Sequence, residues 1–360
     1  MNKLSQWFLG LLALIGIGSA VGKAFIWGDS VVNYGSYVPW GLWVSLYIFL
    51  VAAAAGATWF GFWLGYKNNS VRWIKLGFGS AAISLMGALA FIALDLGKPM
   101  KGISIFFSPS FSSPLAWASW GYALFILTVA FIVFKGISSV RSPLVYLGLG
   151  LSIVFLGAET LFFGDMIARP LWNSWGSAFA FVTSAIVVGG ALVYGVAALW
   201  APDLLQKDEI GLRKLLLYAI VFHLIVEVGH LALETKLPEA MAQMTDWRFW
   251  VLFVGLGGVV AIYLLTKPAT ALLGALLSLV GILVYKVMFV TDAFTQPDLN
   301  GLPEAFQDSR LSLSYTPSIV EWLVAVGLLA AVVLAISWLI PKVLVDYTEG
   351  STKSNKAVNV

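Results

Sequence analysis

The chain has no cysteine. It therefore forms no disulfide, holds no iron–sulfur cluster through its own thiolates and carries no covalently attached c-type haem. Any such redox centre must sit on another subunit. Charge is scarce too. Asp, Glu, Lys and Arg make up 11% of the 360 residues, against roughly one quarter in a soluble domain. The net charge of +3 is spread along the sequence without a clustered basic face, so no nucleic-acid partner is expected. Histidine occurs only at His223 and His230. A bis-histidine haem takes ligands from facing helices, and these two share one segment, so no haem is expected. No group of ligand-type residues has metal-site spacing, and no metal is expected.

What the chain has in excess is apolar length: 60% of its residues are hydrophobic. Roughly twenty apolar residues cross a hydrocarbon core, and ten stretches meet that standard, near 5–26, 38–65, 74–96, 115–135, 142–163, 175–200, 212–234, 248–266, 269–291 and 316–341. An all-α membrane protein of about ten transmembrane helices follows. Lys3 before the run Trp7 to Ala24 has the look of a secretory signal, but its length and the spans behind it favour an uncleaved first helix.

Cytoplasmic loops are enriched in Lys and Arg. One side collects Lys3, Lys67, Arg72, Lys75, Lys135, Arg141, Lys207, Arg213, Lys214, Lys267, Lys342, Lys353 and Lys356, which is 13 of the 21 basic residues. The other side has Lys23, Lys98, Lys101, Arg169, Lys236, Arg248 and Arg310, and Lys286 falls inside a helix. Both termini are then cytoplasmic. The long connections 27–37, 97–114, 164–174, 235–247 and 292–315 lie outside, where partners dock and sites assemble.

Three weak internal matches occur in order along the chain. Ala55 to Gly61 resembles Gly189 to Gly195, Phe91 to Asp95 parallels His230 to Glu234, and Glu159 to Asp165 shares its spacing with Lys286 to Asp292. Duplication of a four-helix unit gives a parallel repeat, although a restricted membrane alphabet also produces such matches. The expected division is 1–34 for the first helix and outer loop, 35–174 for a first four-helix bundle, 175–300 for a second, and 301–360 for the last helix and tail.

Ionisable groups inside a membrane are costly and mark function by default. His223, Glu227, His230 and Glu234 stand at i, i+4, i+7 and i+11, one narrow stripe of helix seven. The stripe climbs about 16 Å, half the membrane, to the outer surface. It has the form of a proton path, with Lys286 as a second intramembrane charge; interhelical hydrogen bonding that only holds helices together is the alternative. A second constellation, Glu159, Asp165 and Arg169 with Asp95, Lys98 and Lys101, gathers at the outer ends of helices five and three. Trp40, Trp43, Trp117, Trp120, Trp172 and Trp175 surround it. An interfacial belt accounts for such indoles, yet flat apolar walls with a few acid–base groups are also what a quinone requires.

The strings Tyr37-Val38-Pro39-Trp40-Gly41-Leu42-Trp43, Leu94-Asp95-Leu96-Gly97-Lys98-Pro99, Ser113-Pro114-Leu115-Ala116-Trp117-Ala118-Ser119-Trp120-Gly121 and Ala168-Arg169-Pro170-Leu171-Trp172 resemble the NrfD-like family of polysulfide-reductase membrane subunits. Tyr315 to Ser318 and Glu321-Trp322 look like its ten-helix branch, which includes HybB-type subunits. The resemblance implies two four-helix bundles, a quinone site near the outer surface in the first, and no haem. It also implies a ferredoxin-like iron–sulfur subunit on the outer face and a molybdopterin or other catalytic redox subunit beyond it. Related pockets use an Asn and a His early in helix two. Here the stretch reads Ser45-Leu46-Tyr47-Ile48, so Ser45 or Tyr47 would substitute.

The sequence reading is thus a quinone-reactive subunit of a respiratory oxidoreductase in a bacterial or archaeal cytoplasmic membrane, using menaquinone or ubiquinone. Asp95 and Glu159 exchange protons with it, Glu159 being proposed from its depth and charge alone. Ser45, Tyr47, Lys98, Trp117, Trp120 and Asp165 line the site. His223, Glu227, His230, Glu234 and Lys286 carry protons in the second bundle. The rival is a secondary transporter on a parallel repeat.

Overall fold

The computed structural model describes residues 3–97, 99–294, 301, 305 and 312–357, and the side chains of all but Pro99 and 345–357 among them. Lys98 and Arg310, and the side chains of Lys353 and Lys356, lie outside the described residues. The described residues form helices and connecting turns, as a chain in lipid must to satisfy its own backbone.

The main helices are α1 (Lys3–Gly22), α2 (Leu42–Lys67), α3 (Val71–Asp95), α4 (Pro114–Ala130), α5 (Pro143–Gly164), α6 (Trp175–Trp200), α7 (Pro202–Leu233), α8 (Phe249–Leu265), α9 (Ala271–Thr291) and α10 (Ile319–Ala357). Proline opens α4, α5 and α7, where its fixed φ suits the first turn and its missing N–H is no loss. Ser174 caps α6 by accepting from the Ser177 N–H at 3.1 Å. Among the described residues nine helical spans are long and apolar enough to cross a membrane on their own. The tenth is α8 taken with the short helix Pro238–Thr245, which meets it at 66°.

Several boundaries differ from the sequence reading, among them the end of α10, which lies at Ala357 rather than near 341. Helix seven starts at Pro202 rather than near 212, because Pro202 and Asp203 supply a helix start that the charged run 207–209 hides from a hydropathy scan. The connection 235–247 contains the helix Pro238–Thr245.

α2 is the axis, with 94% of its apolar window buried. It packs on α3, α5, α6 and α9. α1 and α10 pair with each other, and α10 packs on α3. The pairs α2–α3, α4–α5 and α2–α5 recur as α6–α7, α8–α9 and α6–α9. Where α2 crosses α6, a Cβ on Gly56 would lie 1.8 Å from the Ala185 carbonyl oxygen, and one on Gly189 would lie 2.1 Å from the Gly56 carbonyl carbon. Glycine at both positions lets the two backbones touch. The patches that match in sequence therefore pack on each other.

Candidate functional site

Three helices bring polar groups together a few residues inside the N-terminal end of α2 and the C-terminal end of α5. Tyr122 of α4 donates from its hydroxyl to Glu159 Oε2 of α5 at 3.2 Å. The hydroxyls of Tyr122 and Tyr47 of α2 lie 2.9 Å apart. All three side chains are buried, and Phe155 packs against the Tyr122 ring at 5.3 Å. Glu159 Oε1 is buried without a hydrogen-bond partner. A lone buried polar atom costs free energy unless something uses it. Here one carboxylate oxygen is held by a relay of two phenols and the other is free.

Tyr47 stands one turn from Trp43 on the same face of α2, and Trp43 opens a second cluster. Lys23 Nζ sits 5.7 Å over the Trp43 ring, donates to the Leu94 carbonyl at 2.6 Å and pairs with Asp29 at 3.0 Å. Asp95 ends α3 beside it, with Oδ1 buried and unpartnered. The Tyr34 ring meets Trp43 edge-on at 6.1 Å. Burial pushes the Tyr34 phenol well above its ordinary value, and the charges of Asp95, Asp29 and Glu321 add to this, so it stays neutral. Glu321 of α10 closes the cluster from behind. It accepts from the N–H of Asn33 at 2.9 Å and of Ser318 at 2.8 Å, and from the Tyr315 hydroxyl.

An aromatic partition separates these groups from the other half of the molecule. Trp40 stacks on Trp172 at 5.7 Å and 12°, Phe163 stands edge-on to Trp172 at 5.1 Å, and Phe181 and Phe289 meet at 5.4 Å. Beyond it lies a second buried cluster. Lys286 Nζ of α9 lies 4.0 Å over the Phe181 ring. Its field and the Tyr285 hydroxyl act on Glu227 of α7. Neither Glu227 oxygen nor Lys286 Nζ makes a hydrogen bond of ordinary geometry. His223 Nε2 is 4.0 Å from Glu227 Oε1, and its Nδ1 is 2.8 Å from Thr183 Oγ1. His230 Nε2 reaches Ser174 Oγ at 2.9 Å. That approach needs Gly176, where a Cβ would fall 2.2 Å from the imidazole.

The family model for polysulphide reductase, NrfD, matches residues 30–297, a segment that holds the groups described above except Lys23, Asp29, Tyr315, Ser318 and Glu321. The chain belongs to the NrfD family. Two curated proteins are similar along almost their full length. The C subunit of the selenate reductase of Mesobacillus selenatarsenatis is 26% identical over 400 aligned positions, covering 94% of this chain and 93% of that protein. A putative dimethyl sulfoxide reductase membrane subunit of Halobacterium salinarum is 23% identical over 397, covering 91% and 89%.

Within this NrfD chain, the residues singled out from sequence divide by position. Tyr47 and Glu159 join one relay. Asp95 stands in the neighbouring cluster with Lys23 and Tyr34. Ser45 is buried with its hydroxyl donating to the Gly41 carbonyl at 3.0 Å, one turn back along the chain. Trp117 is 51% exposed and donates to the Phe111 carbonyl at 2.8 Å, and Trp120 is 37% exposed against Phe106. Asp165 caps the end of α5 at the surface. His223, Glu227, His230 and Lys286 are buried, and Glu234 follows the last turn of α7 half-exposed. Among the described residues there is no group of three His, Cys, Asp or Glu able to hold a metal ion.

Tyr122, Tyr34, Thr183 and Tyr285 were not singled out from sequence. Each is an isolated hydroxyl in an apolar setting, without the charge that draws attention to Glu159 and Lys286. The usable signal was depth. Tyr122 lies about two turns inside α4, where a buried phenol must find a partner for its hydroxyl.

Proposed function

We propose that this chain is the quinone-reactive membrane subunit of a respiratory reductase complex. It exchanges two electrons and two protons between menaquinone or ubiquinone and a ferredoxin-like iron–sulfur subunit on its outer face. A molybdopterin or other catalytic redox subunit lies beyond that partner. The observation that carries this is the buried carboxylate Glu159, with Oε2 held by Tyr122 and Oε1 free. The names of the two relatives, both reductase subunits, and the absence of cysteine support the assignment of metal redox centres to partners.

Oxidation of a quinol releases two protons with its electrons, so the site needs a base within hydrogen-bond reach of a quinol hydroxyl. Glu159 Oε1 has that role. Proton charge spreads along the Tyr122 and Tyr47 hydroxyls, which sit in contact already. Tyr47 is one helical turn along α2 from Trp43, over whose ring Lys23 sits, and the proposed proton route runs along this face to the Lys23, Asp29 and Asp95 cluster. Asp29 at the surface then hands protons to the aqueous side. In the reverse direction the same groups supply protons to quinone. The aromatic partition excludes water from the carboxylate and offers the flat walls a quinone ring requires.

In the second half, Glu227 and Lys286 are a buried acid and base without a fixed bond between them, flanked by His223 and His230. We assign them to proton transfer from mid-membrane toward Glu234. Replacing Glu227 with Gln and His230 with Phe tests this: proton coupling in proteoliposomes falls if the assignment holds, and unchanged coupling overturns it.

The complex should purify with an iron–sulfur protein, and a quinone analogue should block its quinol oxidation. A cofactor-free chain that pumps a substrate alone would instead make it a secondary transporter. The Gly-rich patches of α2 and α6 are sites of close helix packing rather than the helix breaks that build carrier sites.

A further inference from the structure

At the basic-rich end of the molecule a cavity of about 290 Å³ opens between α7 and the end of α8, lined by Arg213, Lys214, Leu217 and Tyr218 on one side and Leu265 and Thr266 on the other. Nothing in the proposed redox function uses it. Arg213 is nine-tenths buried. Its Nη1 donates to the Leu265 carbonyl at 2.8 Å, which anchors the guanidinium across the crevice. Its Nε faces Glu209 at 3.5 Å without a hydrogen bond. Lys214 stands exposed at the mouth, and Lys267, next to Thr266, donates to the Tyr263 hydroxyl at 3.1 Å. Arg213 and Lys214 thus line a space large enough for a phosphate ester, with Lys267 next in the chain to the lining residue Thr266 and Glu209 against Arg213 alone.

The walls do not end at the cations. Tyr218, Phe222 and Ile225 continue the same face of α7, exposed by 64%, 56% and 64%, and Val259 and Tyr263 flank them on α8, exposed by 60% and 58%. From Arg213 to Ile225 this strip runs about 18 Å along the helix, close to one leaflet of hydrocarbon. A soluble anion would cover the cations and leave the strip bare. A lipid covers both.

The geometry points to a binding site for an anionic phospholipid, its phosphodiester between Arg213, Lys214 and Lys267 and its acyl chains along Tyr218, Phe222 and Ile225. Basic crevices between membrane helices on the basic-loop side are suited to such headgroups, and a planar guanidinium grips a phosphate by two oxygens. Glu209 holds Arg213 in position, and the surplus of basic over acidic groups favours headgroups of net negative charge. Occupation would pin α7 against α8, the helices that carry Glu227 and the bent entry from Pro238–Thr245.

The full chain, purified in neutral detergent, is titrated with phosphatidylglycerol, cardiolipin, phosphatidylcholine and inorganic phosphate, and thermal unfolding and native mass spectra are recorded. Binding only to the folded state raises the unfolding temperature. The anionic lipids should raise it by several degrees and remain bound in the mass spectrum, while phosphatidylcholine and inorganic phosphate do neither. Lys214→Gln and Lys267→Gln, both at exposed positions, should each weaken binding about fivefold. Arg213→Gln should abolish it, and if that variant does not fold, the double lysine variant carries the test. Equal stabilisation by phosphatidylcholine, a shift with inorganic phosphate alone, or undiminished lipid binding by the double lysine variant overturns the proposal.

Discussion

Gly56 of α2 and Gly189 of α6 meet backbone to backbone, so close that a Cβ on either would collide with main-chain atoms of the other helix. Backbone cannot yield as a flexible side chain does, and overpacking of a tight core costs about 1–3 kcal/mol or more. Gly189→Val should therefore lower the unfolding temperature in detergent and weaken quinol turnover, because α2 carries Tyr47 and α6 carries Phe181 and Thr183 of the second cluster. Gly150→Ala, where a Cβ meets nothing within 4 Å, should leave both unchanged.

The relay predicts an order of effects. Tyr122→Phe removes both of the Tyr122 hydroxyl's hydrogen bonds, to Tyr47 and to Glu159. Tyr47→Phe removes one. General acid–base groups contribute about 10²- to 10⁴-fold, so Tyr122→Phe should slow quinol oxidation by about 10²-fold and Tyr47→Phe by less. Equal and small losses would make the phenols packing groups.

Glu227 and Lys286 give a stability test independent of transport. Removing one member of a buried opposite pair strands the other charge, at about 3–5 kcal/mol. Lys286→Met should accordingly destabilise the protein strongly, and adding Glu227→Gln should restore much of the loss. Thermal unfolding of the two single variants and the double reads the coupling directly.

At the break before α8, Asp246 and Arg248 form a close ion pair, and Arg248 also reaches Asp292 at 3.6 Å. Burial works against ionisation of Asp246, but hydrogen bonds and charge from Arg248 outweigh it and hold the carboxyl below its usual value. A lowered value in the folded state stabilises at pH above the unfolded value near 4, and that stability is lost as pH falls through the folded one. Arg248→Gln should cost about 1 kcal/mol at pH 7, and the gap from the unaltered protein should narrow below about pH 4.

Much of this arrangement was legible in the sequence because the membrane writes it plainly. Ten apolar runs mark the spans, and buried charge is rare enough that Glu159, Glu227 and Lys286 stand out by type alone. The i, i+4, i+7 spacing places His223, Glu227 and His230 on one face of α7, and all three side chains are buried. What stayed hidden were contacts between helices. Tyr122 lies 37 positions from Glu159, and nothing local ties them. Ser45 had the right depth for a ligand, but a serine hydroxyl inside a helix readily bonds the carbonyl one turn back. The start of α7 is hard to read because charged residues 207–209 interrupt the apolar pattern while leaving the helix intact.

The central claim is that Glu159 exchanges protons with quinol, and Glu159→Gln tests it most directly. Gln keeps the size and the acceptance from Tyr122 but cannot take up a proton. The assembled complex is purified, and quinol oxidation is measured across pH beside electron transfer from an artificial donor that bypasses quinol. The account predicts quinol oxidation slowed about 10²-fold or more, with its pH dependence flattened and the bypass rate intact. Unchanged quinol oxidation with an unchanged pH profile would contradict it.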